Sequence, residues 1–248
     1  MKYIDGFRDP QAAAALRHRI VELAAEVDRV SIMEVCGTHT MAISRYGIRS
    51  ILPDNIELIS GPGCPVCVTD AGYVDAAIEL ARRGVIVATF GDLIHVPGSE
   101  TSLAECRAQG ASIEVCYSPT AALDLAARHP GKDAVFLAVG FETTIPPVTS
   151  LIPLAMEKKL SNLSLLTAFK LVPPALKALL ADPELRIHAF LCPAHVSAII
   201  GADAYRPFTG PAGVPCVIAG FEPLDILRGL ERILEQIKAG EAVVDNQY

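Results

Sequence analysis

Two short segments of the sequence bring together residues that can bind a soft metal ion or carry out thiol chemistry. The first, Cys36-Gly-Thr-His39-Thr, holds a thiol and an imidazole, and the second, Gly61-Pro-Gly-Cys64-Pro-Val-Cys67, holds a Cys-x-x-Cys pair. Thiolates and imidazoles are ligands for iron, zinc and copper, and a Cys-x-x-Cys pair can also form a reversible disulfide. The two segments therefore predict a metal site, a redox site or both.

Cys64 and Cys67 lie in the more specific of the two segments. Their spacing permits a disulfide, and a helix predicted to begin near Thr69 or Asp70 would lower the pKa of a thiol through its exposed amide groups. The alternative is half of a structural zinc site, which requires a second Cys or His pair at similar spacing. Such a pair is missing among the other cysteines that follow, which are Cys106, Cys116, Cys192 and Cys216. Redox or iron chemistry is therefore favoured over structural zinc.

Cys36 and His39 lie on either side of Gly37, which allows a ligand to approach the backbone closely. A single cysteine after a strand is more often a small buried residue, and a single loop histidine is more often hydrogen-bonded than a ligand. Found together in a predicted loop, they indicate a metal or nucleophile site as strongly as they indicate a structural role.

Two further polar residues follow apolar strand candidates. Glu142, in Gly140-Phe-Glu-Thr-Thr144, suits either a helix cap or a carboxylate that lies behind a metal ligand and orients it. His195, in Pro193-Ala-His195, leaves the same choice between a structural and a functional role. Signatures of nucleotide-dependent enzymes and zinc peptidases are missing from the sequence.

The composition predicts a folded protein with a substantial core. The chain has 248 residues, of which 51% are hydrophobic, and a net charge of -7. The acidic balance and the lack of basic runs argue against nucleic acid and membrane surfaces as partners. Seven dispersed cysteines and an N-terminus without an apolar signal-like stretch predict a reducing, cytoplasmic environment.

The hydrophobic pattern predicts an α/β fold. Apolar residues at helical spacing predict an amphipathic first helix over 11–29. The strand candidates are mostly continuous apolar runs, which are typical of parallel sheets covered on both faces; they are 30–35, 56–60, 85–90, 112–116, 134–139, 163–168, 187–191 and 214–219. The intervening segments predict the covering helices, at 70–83, 99–108, 120–128, 173–180 and 223–238.

The recurrence of Gly-Phe-Glu at 140–142 and 220–222 suggests an internal duplication. We therefore expect two parallel-sheet α/β domains of similar organisation, 1–118 and 119–248, with a cleft between them. The polar and reactive residues all follow strand candidates, and ligands bind at the carboxyl ends of parallel strands. The sequence thus predicts that the reactive side chains gather at these sheet edges.

Six motifs, in this order along nearly the whole chain, resemble the HypD family of hydrogenase maturation factors. They are Met33-Glu-Val-Cys36-Gly-Thr-His39-Thr, Ser60-Gly-Pro-Gly-Cys64-Pro-Val-Cys67-Val, Thr89-Phe-Gly-Asp92 with Val96-Pro-Gly-Ser99, Gly140-Phe-Glu-Thr-Thr144, Gly220-Phe-Glu-Pro-Leu-Asp225 and Asn246-Gln-Tyr248.

The resemblance implies a scaffold on which the Fe(CN)2CO group of [NiFe]-hydrogenase is assembled, with a small HypC-type chaperone and a HypE-type cyanide donor. It implies that Cys36 holds the iron together with a cysteine of the HypC-type partner, with His39 in the same motif. It also implies that Cys64 and Cys67 form a redox-active pair close to the metal chemistry. The family is not expected to turn over a free small substrate.

One departure from the family affects the supply of electrons. Members continue into a cysteine-rich segment that carries a [4Fe-4S] cluster, whereas this chain stops at Tyr248, so the cluster ligands are expected to be absent from it. Two alternatives to the scaffold follow: a stand-alone thiol-disulfide oxidoreductase that uses Cys64 and Cys67, and an inactive truncated core.

Overall fold

The computed structural model describes residues 5–248 and confirms the predicted α/β class. Its strands are short and mostly buried, as expected for continuous apolar runs. In chain order they are β1 (Val30–Glu34), β2 (Ile56–Ser60), β3 (Ile86–Thr89), β4 (Ile113–Val115), β5 (Ala134–Gly140), β6 (Leu163–Phe169), β7 (Ala189–Pro193), β8 (Cys216–Ala219) and β9 (Val244–Asn246).

Helices alternate with these strands along the chain. They are α1 (Pro10–Ala24), α2 (Gly37–Arg45), α3 (Ala71–Arg82), α4 (Leu103–Ala108), α5 (Ala121–Arg128), α6 (Ile145–Thr149), α7 (Leu151–Glu157), α8 (Val172–Leu180), α9 (Ala194–Ile200) and α10 (Pro223–Ala239). Short 3-10 segments occur at Asp5–Arg8, Ile48–Ile51 and Ala202–Phe208. Among the described helices, none is both long enough and apolar enough to cross a membrane.

The chain divides into two compact units. The first unit comprises the described residues up to Gly63 together with Leu171–Tyr248, and the second unit is Cys64–Lys170. This division differs from the predicted domains 1–118 and 119–248. The reason is that β1, near the start of the chain, pairs with β7, so that strands from both ends of the sequence build one sheet.

The first unit contains a five-stranded parallel sheet in the order β2-β1-β7-β8-β9. Every residue of β1 and β7 is buried, because these strands lie inside the sheet with helices on its faces. Helices α1 and α10 pack against each other, and their apolar faces join one core with β1, β7 and β8. Pro223 opens α10, and Gly240, whose φ is 67°, ends it in the left-handed conformation.

The second unit contains a four-stranded parallel sheet in the order β4-β3-β5-β6. All seven residues of β5 are buried, since this strand lies between β3 and β6. The hydroxyl of Tyr73, on α3, donates a hydrogen bond of 2.7 Å to the Leu166 carbonyl oxygen on β6. This contact fixes α3 against the sheet, and α3 is the helix that follows Cys64 and Cys67.

Two local expectations were wrong, and one strand was missed. The first helix ends at Ala24 and not at residue 29. The segment that follows Cys36 is helical, where a loop was expected. The short strand β9 was not predicted, because its three residues show no continuous apolar run.

Candidate functional site

Cys36 lies at the junction between β1 and α2 and caps the helix. Its backbone is extended, with φ −160° and ψ 133°, and its Sγ atom accepts a hydrogen bond of 3.3 Å from the Thr38 amide. The residue is 9% exposed. A thiol at the first turn of a nine-residue helix meets exposed amide groups that favour a negative charge.

His195 is the second residue that faces this thiol. It is on α9, immediately after β7, and β7 is the neighbour of β1 in the sheet. The Nε2 atom of His195 lies 3.9 Å from Sγ of Cys36. Burial by itself raises the pKa of Cys36, but the contacts with His195 and Thr38 outweigh it and hold that pKa below the ordinary value. The pair is therefore arranged to favour a thiolate.

The sequence left the role of His195 undecided, although its position directly after a predicted strand indicated where it would lie. Parallel neighbouring strands end at the same edge of a sheet, so residues that follow β1 and β7 meet. The pattern identified both segments as strand ends, but the pairing of β1 with β7 could not be deduced from apolar runs alone.

His39 is fully buried on the first turns of α2. Its Nε2 atom lies 2.9 Å from the Gly220 carbonyl oxygen, a pure acceptor, so Nε2 carries the proton and donates. Burial lowers the pKa of His39 to about 4, which keeps the ring neutral near pH 7. Its Nδ1 atom has no hydrogen-bond partner among the described residues. Only Nδ1 therefore remains for the predicted role of His39 as a metal ligand.

Phe221 lies against both histidines. Its ring centroid is 4.7 Å from that of His39 and 5.0 Å from that of His195, with an interplanar angle of 45° in each case. Phe221 belongs to the second Gly-Phe-Glu segment, whose recurrence in the sequence suggested only an internal duplication. Its contact with the two imidazoles was not predicted.

A buried carboxylate supports the same region. Glu34, the last residue of β1, is 1% exposed. Its Oε1 atom accepts hydrogen bonds from Arg49, from Ser60 Oγ at 2.9 Å and from Thr40 Oγ1 at 3.4 Å. Glu34 thereby joins the ends of β1 and β2 to α2. Glu34 is the one charged residue in the buried run 30–36, and this position in the sequence could have indicated a carboxylate with hydrogen-bond partners.

The Gly61-Pro-Gly63 segment lies against the Cys36 turn. The Gly61 amide donates a hydrogen bond of 2.9 Å to the Glu34 carbonyl oxygen. A Cβ atom on Gly61 would come within 2.8 Å of that oxygen, so the position requires glycine.

Cys64 and Cys67 belong to the second unit and form a disulfide, with their Cα atoms 5.2 Å apart. The Cys67 amide also donates a hydrogen bond of 3.0 Å to the Cys64 sulfur. Helix α3 begins at Ala71, capped by Asp70, close to the predicted start. The geometry thus permits the bond that the spacing predicted, and its redox activity stays a prediction.

Glu142 also lies in the second unit, after β5. It is buried, and α6 begins three residues later at Ile145. Its predicted role in orienting a metal ligand stays a prediction.

The predicted metal ligands are divided between the units: Cys36 and His39 in the first, Cys64 and Cys67 in the second. Within residues 5–248, no group of three or more His, Cys, Asp or Glu side chains could hold a metal ion. The remaining cysteines are buried and do not form the four-cysteine set that a [4Fe-4S] cluster requires; they are Cys106, Cys116, Cys192 and Cys216. Cys36 is therefore not part of a group of three or more such side chains within the described residues.

Comparison with known proteins agrees with these features. A family profile described as "HypD: Hydrogenase formation hypA family" matches residues 11–248. The chain is 49% identical to the hydrogenase maturation factor HypD of Azotobacter vinelandii, covering 100% of this chain and 67% of that protein. It is 44% identical to HypD of Cupriavidus necator and 41% identical to HypD of Escherichia coli, covering 100% of this chain and 68% of each relative.

The matches extend through the segments that hold Cys36, the Cys64–Cys67 disulfide, His195 and Phe221. The chain spans about two thirds of the length of these relatives. The chain therefore belongs to the HypD family of hydrogenase maturation factors.

Proposed function

We propose that the chain is an assembly scaffold that holds iron while the Fe(CN)2CO group of [NiFe]-hydrogenase is built. The observation that carries the proposal is the pair of Cys36 and His195, whose Sγ and Nε2 atoms are 3.9 Å apart. A thiol held in the thiolate form is an anionic, soft ligand, and iron binds such ligands well. In this role the chain is not an enzyme that turns over a free small substrate.

Cys36 is the proposed anchoring ligand for the iron. The Thr38 amide and His195 stabilise its thiolate, which lowers the free-energy cost of releasing the proton when a metal binds. His39 is proposed as a further ligand through Nδ1, since its Nε2 is held by the Gly220 carbonyl. Iron needs more ligands than these, and open positions must remain for cyanide and carbon monoxide.

We propose that a HypC-type chaperone supplies a cysteine to the same iron and that a HypE-type protein delivers the cyanide. A metal bridged by two proteins lies at their interface, so the HypC-type partner must bind beside Cys36. Met41, on α2, is 71% exposed and offers an apolar contact there. Ile43, on the same helix, is fully buried in the core, and Tyr46 is half-buried, so neither offers as much apolar surface as Met41.

The Cys64–Cys67 disulfide is proposed as the redox partner of the assembly. Reduction to two thiols consumes two electrons and two protons, and reoxidation releases them to an acceptor. Within residues 5–248 the free cysteines form no group that could hold a metal cluster, and we propose a dithiol as the reductant of the disulfide. Five free cysteines suit a reducing compartment, and the cytoplasm is the proposed location.

A second candidate function, a stand-alone thiol-disulfide oxidoreductase, is favoured by the disulfide itself. The two functions make different demands on the chain. An oxidoreductase requires Cys64, Cys67 and a reductant, whereas a scaffold also requires Cys36 and a protein partner.

The test is anaerobic co-purification of the chain with a HypC-type partner, followed by metal analysis and infrared spectroscopy in the cyanide and carbonyl stretching region. We expect bound iron in the wild-type complex and its loss in Cys36→Ala, because no neighbouring group matches the thiolate as a soft ligand. Cys106→Ala is the control, since Cys106 lies in the core of the second unit. Equal iron in the wild type and Cys36→Ala would refute the scaffold, and disulfide reductase activity independent of Cys36 would favour the alternative.

A further inference from the structure

The segment Gly220-Phe221-Glu222 contacts the candidate site at three consecutive residues. The Gly220 carbonyl accepts the hydrogen bond from His39. The Phe221 ring lies 5.0 Å from the His195 ring and 4.7 Å from the His39 ring, measured between centroids. One short segment therefore touches both imidazoles near Cys36.

The segment is held from both of its ends. The Asp225 side chain packs against Gly220, where a Cβ atom would come within 2.8 Å of Cγ of Asp225. Glu222 accepts two hydrogen bonds from Arg8, of 2.6 and 2.8 Å. Because β8 ends at Ala219 and α10 begins at Pro223, the segment has little freedom to move.

His195 needs such support, because its contact with Cys36 is a long one through a single ring nitrogen. A 3.9 Å contact between sulfur and nitrogen is near the outer limit for a hydrogen bond, and a small rotation of the ring would break it. The imidazole ring is tilted by 45° against the Phe221 ring, with the two centroids 5.0 Å apart. Aromatic contacts of this kind favour particular ring orientations and so restrict rotation of the imidazole.

We infer that Phe221 is a positioning residue that holds the His195 imidazole against the Cys36 thiol. The hydrogen bond from His39 to the Gly220 carbonyl oxygen in turn fixes the segment that carries Phe221. The inference rests on the proposed function only in giving Cys36 a role as iron ligand. The contacts themselves belong to the free chain. Its test therefore uses the free chain, without iron and without a partner.

The experiment measures the rate of Cys36 alkylation by iodoacetamide at pH 7, resolved from the other cysteines by mass spectrometry, in Phe221→Leu and Phe221→Tyr. We expect Phe221→Leu to slow alkylation by about tenfold, because the thiolate loses a charge-assisted contact. Phe221→Tyr should restore the wild-type rate, since the ring is retained and Phe221 is only partly buried.

The matched control is Phe90→Leu. Phe90 is also partly buried and also contacts another aromatic ring, that of Phe136, but it lies in the second unit. We expect this variant to alkylate Cys36 at the wild-type rate. A lowered unfolding temperature in Phe221→Leu with an unchanged Cys36 rate would show that Phe221 only packs, and would overturn the inference.

A second measurement does not depend on the folding of any variant. In the wild-type chain, nuclear Overhauser contacts between the ring protons of Phe221 and His195 are expected, together with an upfield shift of the His195 protons. The absence of both would also overturn the inference. Neither outcome bears on iron binding, so failure here is distinct from failure of the proposed scaffold.

Discussion

The Cβ position of Gly63 lies 2.7 Å from the Cα atom of Gly37, a separation at which no side-chain carbon fits. The turn that precedes Cys64 and the turn that carries Cys36 thus touch through two glycines, backbone to backbone. Since both residues are in the first unit, the contact belongs to its fold.

We predict that Gly63→Ala destabilises the chain by about 1–3 kcal/mol, because the added methyl group overpacks a contact between two backbones. Denaturant unfolding measures the change. Gly131→Ala is the control, since a Cβ atom at Gly131 meets nothing within 4 Å. Equal unfolding midpoints for Gly63→Ala and the wild type would contradict the prediction.

The second prediction concerns the pH dependence of the Cys36 thiol. Burial raises the pKa of Cys36, but contacts with His195 and Thr38 lower it below the ordinary value, so the thiolate forms at lower pH than in a free cysteine. The rate of Cys36 alkylation should therefore reach half of its plateau at a lower pH than that of a free cysteine. In His195→Ala the midpoint should move upward, with a slower rate at pH 7 and a similar rate above pH 10. An unmoved midpoint would exclude His195 as the cause.

His39 should make the fold sensitive to mild acid. Burial lowers the pKa of His39 to about 4, whereas an unfolded histidine has a pKa near 6.5. Between these pH values His39 binds a proton in the unfolded chain but not in the folded one. The free energy of unfolding is therefore highest above about pH 6.5 and falls as the pH falls towards 4. The loss should be on the order of 3 kcal/mol. Urea unfolding of the wild type and His39→Gln from pH 4 to 7 measures it, and the difference between the two should change with pH.

The Cys64–Cys67 pair should close under mild oxidation and reopen with an external dithiol. The geometry already accommodates the disulfide, with the two Cα atoms 5.2 Å apart. Mass spectrometry of alkylated peptides decides the result. Full alkylation of both cysteines after oxidant treatment, or pairing of either one with Cys36, would refute the redox assignment.

Met41→Glu should weaken binding of the HypC-type partner by at least tenfold while leaving the unfolding temperature unchanged. The Met41 side chain is 71% exposed, so a charge at this position should weaken an apolar contact with a partner without disrupting the packing of the core. Met156→Glu is the control, because Met156 is 74% exposed but lies in the second unit. Equal affinity for the Met41→Glu variant and the wild type in a titration would place the partner elsewhere.

The sheets were largely predictable because their strands are continuous apolar runs. The structure has β1, β2, β5 and β6 within a residue of the predicted positions, and it confirms that they are parallel. Helix α2 was missed because Cys36-Gly-Thr-His39-Thr contains a glycine and two threonines, which have low helix propensity. Here capping by Cys36 and burial of His39, Ala42 and Ile43 outweigh that propensity.

Cys36 and His39 could be predicted as site residues because a thiol and an imidazole are metal ligands. The residues that surround them could not be predicted in this way. Phe221 and Glu34 are 185 and 2 residues from Cys36 in sequence, yet both support its surroundings. Phe221 reaches the site because β8 lies in the same sheet as β1, with β7 between them. That strand order depends on long-range pairing, which a hydrophobic pattern does not encode. The predicted domains 1–118 and 119–248 differ from the observed units for the same reason, because the pairing of β1 with β7 is long-range.

The interrupted first unit also determines when the site can form during synthesis. The second unit is one continuous stretch, so its sheet can close once residue 170 has left the ribosome. The first unit must wait, because β1 pairs with β7 across more than 150 residues of chain. Until His195 and then Phe221 are made, Cys36 has neither its imidazole partner nor the ring that supports it. A nascent chain that has not reached His195 and Phe221 therefore carries an isolated cysteine, and only a longer one presents the paired thiol.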